Sequence, residues 1–262
     1  MVPVATRFRT TAKWPSSATP ASCPRKSPSR CAWLVWSLCW FCRPMCKDGQ
    51  RKPLPSVGER PQDTTPRGVR AMKIVLSRKG FDSANGGVPS PIFRDGRLLS
   101  LPIPASASPT RFADCRWGEQ RIGGLVESLT GGRVSAGHPT HLDPDLDQGA
   151  RPREAGWRPA FGQTGAAQSH LAQHGIGAGD LFLFFGWFRE AELTAGGSWR
   201  FKRNAPDLHV LFGWLQVGEV LRVGAQTAEC TRAYPWLEGH PHLWGEWTVP
   251  NTVYLAAETL DL

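Results

Sequence analysis

An apolar run, DLFLFFGWF at residues 180–188, constrains the fold more than any other part of this 262-residue chain. Apolar side chains fill both alternating sets of positions, which is typical of a strand at the centre of a sheet. A second apolar segment, residues 208–221, is long enough to bend at Gly213 or Gly218. The two segments predict a sheet built around residues 180–188.

Shorter elements complete this prediction. Further strands are expected at residues 73–78, 98–104, 199–202 and 252–257, and helices at 111–129 and 166–174. Because strands dominate and helices are few, we predict an α+β domain. Its sheet should be mixed and barrel-like, with a few flanking helices.

Composition changes at Met72. Residues 1–71 contain 13 basic residues, 3 acidic residues and five of the seven cysteines, whereas residues 72–262 contain 18 basic and 19 acidic residues and all seven histidines. The formal charge of +9 therefore gives no evidence that residues 72–262 bind nucleic acid. We predict that residues 1–71 are a disordered, basic, proline- and cysteine-rich leader, or that Met72 is the native start. A targeting or metal-binding segment is the alternative.

Residues 72–262 are long enough for a single domain with a substantial core. Their two cysteines, Cys115 and Cys230, offer no disulfide framework. No membrane-spanning segment is predicted, and we expect a cytoplasmic protein without a membrane partner.

Charged residues follow the first predicted strand, beside a glycine-rich loop. Arg78 and Lys79 are candidate phosphate ligands, with Asp82 beside them. The alternative is a solvated turn in which Asp82 accepts hydrogen bonds from its own backbone. The loop does not have the Gly-x-x-x-x-Gly-Lys order of a nucleoside-triphosphate site.

The segment His141-x-Asp143-x-Asp145 has three open interpretations. It can place an imidazole and carboxylates around a divalent metal, or supply an acid–base pair, or form an ordinary turn or helix cap. We take His141 and Asp143 as the candidate catalytic pair, assign no metal ligand and predict no specific cofactor.

Aromatic residues repeat in the two long apolar segments as Phe-Gly-Trp. Trp187 and Trp214 either stack on a flat ligand, beside which glycine allows close approach, or fill a β core. Arg189 and Gln216 lie two residues beyond each tryptophan and therefore share its strand face. We include all four as candidate ligand-binding residues.

Two other segments carry candidates. Gln163 precedes the helix predicted at residues 166–174 and either reads a base edge or caps the helix. Residues 240–242, His-Pro-His, lie in a loop with Trp236 that either closes a pocket or forms a proline-fixed turn.

Several blocks together resemble the third nucleotide modification associated domain family. They are SRKGFDS at 77–83 with PSPIF at 89–93, HLDPDL at 141–146, GWR at 156–158, FGQ-x-GAAQ at 161–168, GDLFLFFGWFR at 179–189, HVLFGWLQVGE at 209–219, and HPH at 240–242 with Asn251-x-Val-Tyr. The resemblance covers residues 72–262. Gly179-Asp180 and Val217-Gly218-Glu219 are also similar to PUA-like domains, in which a small barrel reads a base.

The resemblance implies a bacterial or phage protein tied to base modification or phage defence. We expect residues 72–262 to bind a nucleotide or modified base in a polar and aromatic pocket that includes Arg158, and to act with nucleotides or modified DNA and other proteins of such a system. The alternatives are an enzyme that acts on a modified base or its substituent through His141 and Asp143, and a non-catalytic scaffold. The residues leave open whether the chain is an enzyme.

Overall fold

The computed structural model describes residues 71–106, 108–224 and 226–259. The strands are β1 (Ile74–Arg78), β2 (Ser90–Ile92), β3 (Ile103–Pro104), β4 (Arg116–Trp117), β5 (Gln120–Arg121), β6 (Thr140–His141), β7 (Ala160–Thr164), β8 (Leu181–Leu193), β9 (Trp199–Phe201), β10 (Leu208–Val223) and β11 (Asn251–Ala256). The α-helices are α1 (Gly123–Thr130), α2 (Gly165–Gln173) and α3 (Thr227–Ala233). The 3-10 turns are Phe112–Asp114, Gln148–Ala150, Pro235–Leu237 and Pro241–Leu243.

One mixed sheet of seven strands organises the described residues. Its path runs β1-β8-β10-β11-β7, and β2 and β9 also pair with β8. β1 and β2 lie parallel to β8, whereas β10 lies antiparallel to it. The strand predicted to be central is central, and the α+β class is confirmed.

β10 is irregular at the two glycines that the sequence indicated. The register with β8 shifts between Leu211 and Gly213, and the register with β11 shifts between Val217 and Glu219. Close approach explains the second glycine, because a Cβ at Gly218 would lie 2.7 Å from Ala257 Cα. The long strand therefore bends where a side chain would not fit.

The sheet does not close into a barrel, so this part of the prediction is wrong. Closure requires hydrogen bonds between the two terminal strands of the sheet. The path ends at β1 on one side and at β7 on the other, and these two strands do not pair with each other. The buried apolar residues also divide among three separate clusters, whereas a barrel has one interior. The barrel implied by the likeness to PUA-like domains is therefore not formed.

The helix predicted at residues 111–129 is wrong in its first half. Gly118, with φ of +57°, turns the chain between β4 and β5, and the helix begins only at Gly123. Its predicted end is confirmed, because Gly131 adopts the left-handed conformation at the C-cap. The predictions for residues 1–70 lie outside the described residues.

The two faces of β8 differ in burial. Phe182, Phe184 and Phe188 point into the buried side and are 0% exposed. On the other side, which we call the outer face, Leu76 of β1 is 62% exposed and Trp214 of β10 is 40% exposed. Among the described residues, no helix is both long and apolar enough to cross a membrane.

Candidate functional site

Asp143 lies at the centre of a buried group of polar side chains on the Phe184 side of the sheet. Its carboxylate is 1% exposed. Oδ1 accepts a 2.6 Å hydrogen bond from the backbone N–H of Gly162 in β7, and Oδ2 lies 3.2 Å from Nζ of Lys79, which follows β1. Both oxygens are therefore held by elements distant in the sequence.

Three imidazoles surround the same carboxylate. Nε2 of His141 and Nε2 of His242 each lie 4.0 Å from Oδ2, and Nε2 of His240 lies 3.7 Å from Oδ1. His240 and His242 belong to one 3-10 turn with a proline in its first turn, while His141 ends β6. We call the following residues the Asp143 cluster: Lys79, His141, Asp143, His240 and His242.

Glycine at position 162 makes room for His242. A Cβ at Gly162 would lie 2.1 Å from Cδ2 of that imidazole, far closer than two unbonded carbons approach. The backbone of β7 thus donates to Asp143 and also forms the surface against which the ring packs.

The hydrogen bonds of His242 define its tautomer. The side-chain nitrogen of Asn251 donates to the His242 carbonyl at 2.8 Å, so the amide oxygen faces Nδ1 at 2.6 Å and accepts its proton. The indole of Trp247 stacks on the ring with a centroid distance of 5.3 Å and an angle of 4°. His242 therefore presents the lone pair of Nε2 to the Asp143 cluster.

His240 has the opposite tautomer. Its Nδ1 accepts the backbone N–H of His242 at 3.3 Å, so the proton of the neutral ring is on Nε2. That nitrogen is buried and finds no hydrogen-bond partner among the described residues, although it lies near Oδ1 of Asp143. The site thus contains one imidazole lone pair and one imidazole N–H in fixed places.

Burial keeps the imidazoles neutral. It lowers the pKa of His141 to about 4 and that of His240 to about 3, and it also lowers the pKa of His242. Burial raises the pKa of Asp143, but the positive charge of Lys79 and, at acidic pH, the charges of the protonated histidines together lower it to about 2. At neutral pH, Lys79 is the cation that balances the Asp143 carboxylate.

The Asp143 cluster opens towards solvent at two side chains. His141 is 24% exposed and Lys79 is 16% exposed, whereas the other members are almost fully buried. The Lys79 ammonium also lies 4.4 Å above the ring of Phe161, which is favourable for a cation. His141 and Lys79 are therefore the members of the Asp143 cluster that meet solvent.

A cavity of about 280 Å³ is lined by Gly239, the residue before His240. Arg151 lies close to both the cavity and His240, because it lines the cavity and its positive charge contributes to the low pKa of His240. Its Nε is buried without a hydrogen-bond partner among the described residues. Trp157, with the Arg153 guanidinium 4.3 Å from its ring, and Trp244, which is 46% exposed, also line the cavity.

Within the described residues, one group of potential metal ligands satisfies the geometry of a shared ion. His141, Asp143 and His242 each offer one atom, and these three atoms lie within 4.8 Å of one another. Asp145, the third residue of the sequence motif, is not in this group. It makes two 2.6 Å hydrogen bonds with Arg153.

Several other predicted ligand-binding residues lie away from the Asp143 cluster. Trp187 and Trp214 pair with residues of the outer face, and exposed Arg78 pairs with Phe185 on the same face. Arg189 forms an ion pair with Asp207 at 2.7 Å.

The remaining candidates make local contacts. Asp82 accepts hydrogen bonds from the backbone of Ala84 and Asn85, as in the alternative interpretation of its loop. Arg158 pairs with Glu219 at 3.2 Å. Gln163 accepts from the backbone of Thr164, and Gln216 donates to the carbonyl of Gly179.

Sequence reasoning singled out Lys79, His141 and Asp143 as candidates, and considered residues 240–242 as a loop that either closes a pocket or forms a turn. It did not connect this loop with Asp143, and it did not find Gly162 or Asn251. Gly162, His242 and Asn251 are far apart in the sequence, and only the pairing of β7 with β11 brings them together. The available signal was that all three fall within the blocks that carry the family resemblance.

Comparison with protein families gives one match. The family described as nucleotide modification associated domain 3 matches residues 73–261. The chain belongs to this family. The match includes every residue of the Asp143 cluster and of the adjacent cavity. Searches of curated proteins and of solved structures gave no match.

Proposed function

We propose that residues 72–262 form an enzyme that acts on a nucleotide, or on a modified base or its substituent, with the Asp143 cluster as its catalytic centre. His141 and Asp143 are the residues that touch the substrate or its activated water. The observation that carries the proposal is a buried, ionised carboxylate held by Lys79 and surrounded by three neutral imidazoles. The family supplies the nucleotide-modification setting.

A purely structural role explains the Asp143 cluster poorly. Removing charges from water costs several kcal/mol per ion, and apolar residues of similar volume often stabilise a fold as well or better. Groups with strongly shifted pKa values collect at functional sites because chemistry requires those shifts. The opening at His141 and Lys79 supports the same interpretation, since a structural cluster has no need of one.

The protonation states favour proton transfer or hydrolysis. His141 is neutral at pH 7 and the most exposed imidazole of the cluster, so it accepts a proton or a cation from the solvent side. Asp143 stays ionised and orients what binds there. His240, whose Nε2–H has no partner, supplies a donor to a negatively charged group.

The cavity lined by Gly239 suits a nucleotide. Arg151 offers a guanidinium for phosphate, and the indoles of Trp157 and Trp244 offer surfaces for a base. The link between this cavity and the Asp143 cluster is Gly239, which lines the cavity and directly precedes His240. We place this enzyme in the cytoplasm, with other proteins of a bacterial base-modification or phage-defence system.

A direct test compares wild-type protein with His141→Ala. Each is incubated with nucleoside monophosphates and with DNA containing 5-hydroxymethylpyrimidines, and nucleosides are then quantified by mass spectrometry. We expect the wild type to change the mass of one nucleoside, and His141→Ala to be slower by about 10²–10⁴-fold, the usual contribution of a positioned acid or base.

The matched control is His170→Ala. His170 is exposed on α2, far along the chain from the Asp143 cluster, so this variant should retain the wild-type rate. A folded His141→Ala protein with wild-type turnover would remove the cluster from catalysis.

A nucleotide-binding module is the second candidate function. It is favoured by the 40% exposure of Trp214 on the outer face, which also carries Trp187. Trp214 pairs with Leu183, four residues from Trp187, so the two indoles lie roughly 13 Å apart along the strand and contact different parts of a ligand. This function predicts that Trp214→Ala weakens DNA binding in a titration without slowing any turnover.

A further inference from the structure

We propose that the Asp143 cluster binds one divalent transition-metal ion through Nε2 of His141, Nε2 of His242 and Oδ2 of Asp143. This inference deepens the proposed function, on whose site it rests, by naming the chemical class of its cofactor. It departs from the sequence-based expectation, which assigned no metal ligand and considered Asp145 in place of His242.

The ligand atoms are close enough to share an ion. Metal bonds of about 2.1 Å place neighbouring ligand atoms roughly 3.4 Å apart in a tetrahedral site. Both imidazole nitrogens lie 4.0 Å from Oδ2 of Asp143, and all three atoms lie within 4.8 Å of one another. Small side-chain rotations therefore complete the coordination.

His242 is already fixed as a ligand. A metal-binding imidazole usually donates its other ring N–H to an oxygen, which sets the tautomer and the ring direction. Asn251 performs this function for His242 at 2.6 Å, and the stacked ring of Trp247 restricts rotation. Asn251 and Trp247 therefore both orient the Nε2 lone pair of His242 towards the Asp143 carboxylate.

The donor set restricts the ion. Two imidazoles and one carboxylate suit zinc, iron, cobalt and manganese, whereas magnesium and calcium prefer oxygen ligands. Three protein ligands also leave coordination positions for water or substrate, as in catalytic centres. A bound ion supplies Lewis acidity at the opening of the Asp143 cluster.

Lys79 takes the place of the ion when no metal is bound. Its ammonium lies 3.2 Å from Oδ2 of Asp143, the oxygen assigned to the metal. The Lys79 side chain is partly exposed, and its ammonium is carried by a flexible four-carbon stem. The ammonium can therefore move towards solvent when the ion binds. The carboxylate therefore has a cation beside it in both states.

The two histidines of the 3-10 turn provide an internal control. The Nδ1 lone pair of His240 is occupied by the N–H of His242, and its Nε2 carries a proton, so His240 is not a ligand in this arrangement. His240→Asn keeps an oxygen that accepts the same N–H. We therefore expect His242→Ala to lose the metal and His240→Asn to keep it.

The test measures Co²⁺ binding by the full chain without a histidine tag. The five cysteines of residues 1–71 are replaced by serine in every sample, because their thiolates would bind Co²⁺ as well. Protein is stripped with a chelator, titrated with Co²⁺ and followed by the visible absorption of the bound ion and by elemental analysis. All variants carry His174→Ala, because the exposed rings of His170 in α2 and of His174 at its C-cap have centroids 4.2 Å apart and would offer Co²⁺ a second site.

We expect one ion per chain in the parent protein. Affinity should fall at least 100-fold in His242→Ala, Asp143→Asn and His141→Ala, and stay within threefold in His240→Asn. The partly exposed position of His141 makes His141→Ala the informative variant if a buried substitution prevents folding. No binding by the parent, or parental affinity in His141→Ala, would overturn the proposal.

The same preparations separate the metal inference from the proposed enzyme. Nucleoside conversion by the metal-stripped protein at the full rate would overturn the metal as cofactor and leave the catalytic centre in place. Stoichiometric binding without conversion would support the metal site and count against the proposed enzyme.

Discussion

At the scale of single residues, the site depends on the space that a small residue leaves as well as on the contacts that side chains make. Gly162 leaves the space that His242 fills, and Asn251 selects the ring nitrogen that faces Asp143. Neither role is visible in the sequence, because glycine and asparagine have many uses in loops and strands. The sequence did suggest that His141 and Asp143 lie close together, because alternate residues of an extended segment share a face; their catalytic role stays a prediction.

Gly162→Ala should damage the site more than the fold. The new Cβ would lie 2.1 Å from Cδ2 of His242 and force the ring away from Asp143. We expect Co²⁺ affinity and nucleoside conversion to fall at least tenfold. Gly124→Ala is the control, because a Cβ there meets nothing within 4 Å in helix α1, and it should raise helix stability slightly. Equal metal affinity in both variants would contradict the packing account.

Lys79→Met should destabilise the metal-free protein by about 3 kcal/mol, since removing one partner of a buried ion pair leaves the other charge unpaired. The measurement is urea unfolding with and without Co²⁺. Because the ion replaces the ammonium beside Asp143, Co²⁺ should recover most of this loss. The double variant Lys79→Met/Asp143→Asn should be more stable than Lys79→Met alone. If Lys79→Met is as stable as the wild type, the ion pair between Lys79 and Asp143 at 3.2 Å contributes little to the free energy of unfolding.

At the scale of secondary-structure elements, sequence pattern predicted the long strands well and the short elements poorly. Strand β8 was identifiable because an almost continuous apolar run covers residues 181–188. Strand β10 was identifiable because a long apolar segment begins at Leu208, and Gly213 and Gly218 indicated where it bends. The helix predicted at 111–129 was wrong only in its first half, where the apolar spacing resembled a helical period while Gly118 imposes a turn that periodicity does not detect. β6 has two residues and is set by pairing with β3, a tertiary contact.

The two faces of the sheet should respond differently to truncation. Phe184 is fully buried between Phe161 and Phe182, so Phe184→Ala should cost about 3–5 kcal/mol. Leu76 on the outer face is 62% exposed, and Leu76→Ala should cost less than about 1 kcal/mol. Chemical unfolding measures both changes. Similar losses at the two positions would mean that the outer face is covered in solution.

At the scale of the whole molecule, the mixed α+β class was predictable and the closure of the sheet was not. Closure depends on whether terminal strands meet, which is decided by curvature and by packing of segments between strands. The site follows the same logic. It gathers residues from the ends of β1 and β6, the middle of β7 and the turn before β11. In the large sheet β8 pairs with β1, and β11 links β10 to β7, whereas β6 pairs only with β3 in a separate two-stranded sheet.

The metal-free protein should lose stability unusually early on acidification. Burial lowers the pKa of His141 to about 4 and that of His240 to about 3, whereas an unfolded histidine titrates near 6.5. Between these values the unfolded chain binds more protons, so stability is full above about pH 6.5 and falls as pH drops towards 4. Thermal unfolding from pH 7.5 to 4.5 measures this slope. His240→Asn should flatten it and His170→Ala should not; an unchanged slope in His240→Asn would contradict the burial argument.

We propose the Asp143 carboxylate as the catalytic centre of an enzyme that acts on nucleotides or modified bases. The most direct measurement is the rate of nucleoside conversion by wild-type protein and by Asp143→Asn, a variant of nearly identical shape, with folding verified by unfolding curves. We predict conversion by the wild type and a rate at least about 100-fold lower in the variant. A folded Asp143→Asn protein that converts the same nucleoside at the wild-type rate would contradict the claim.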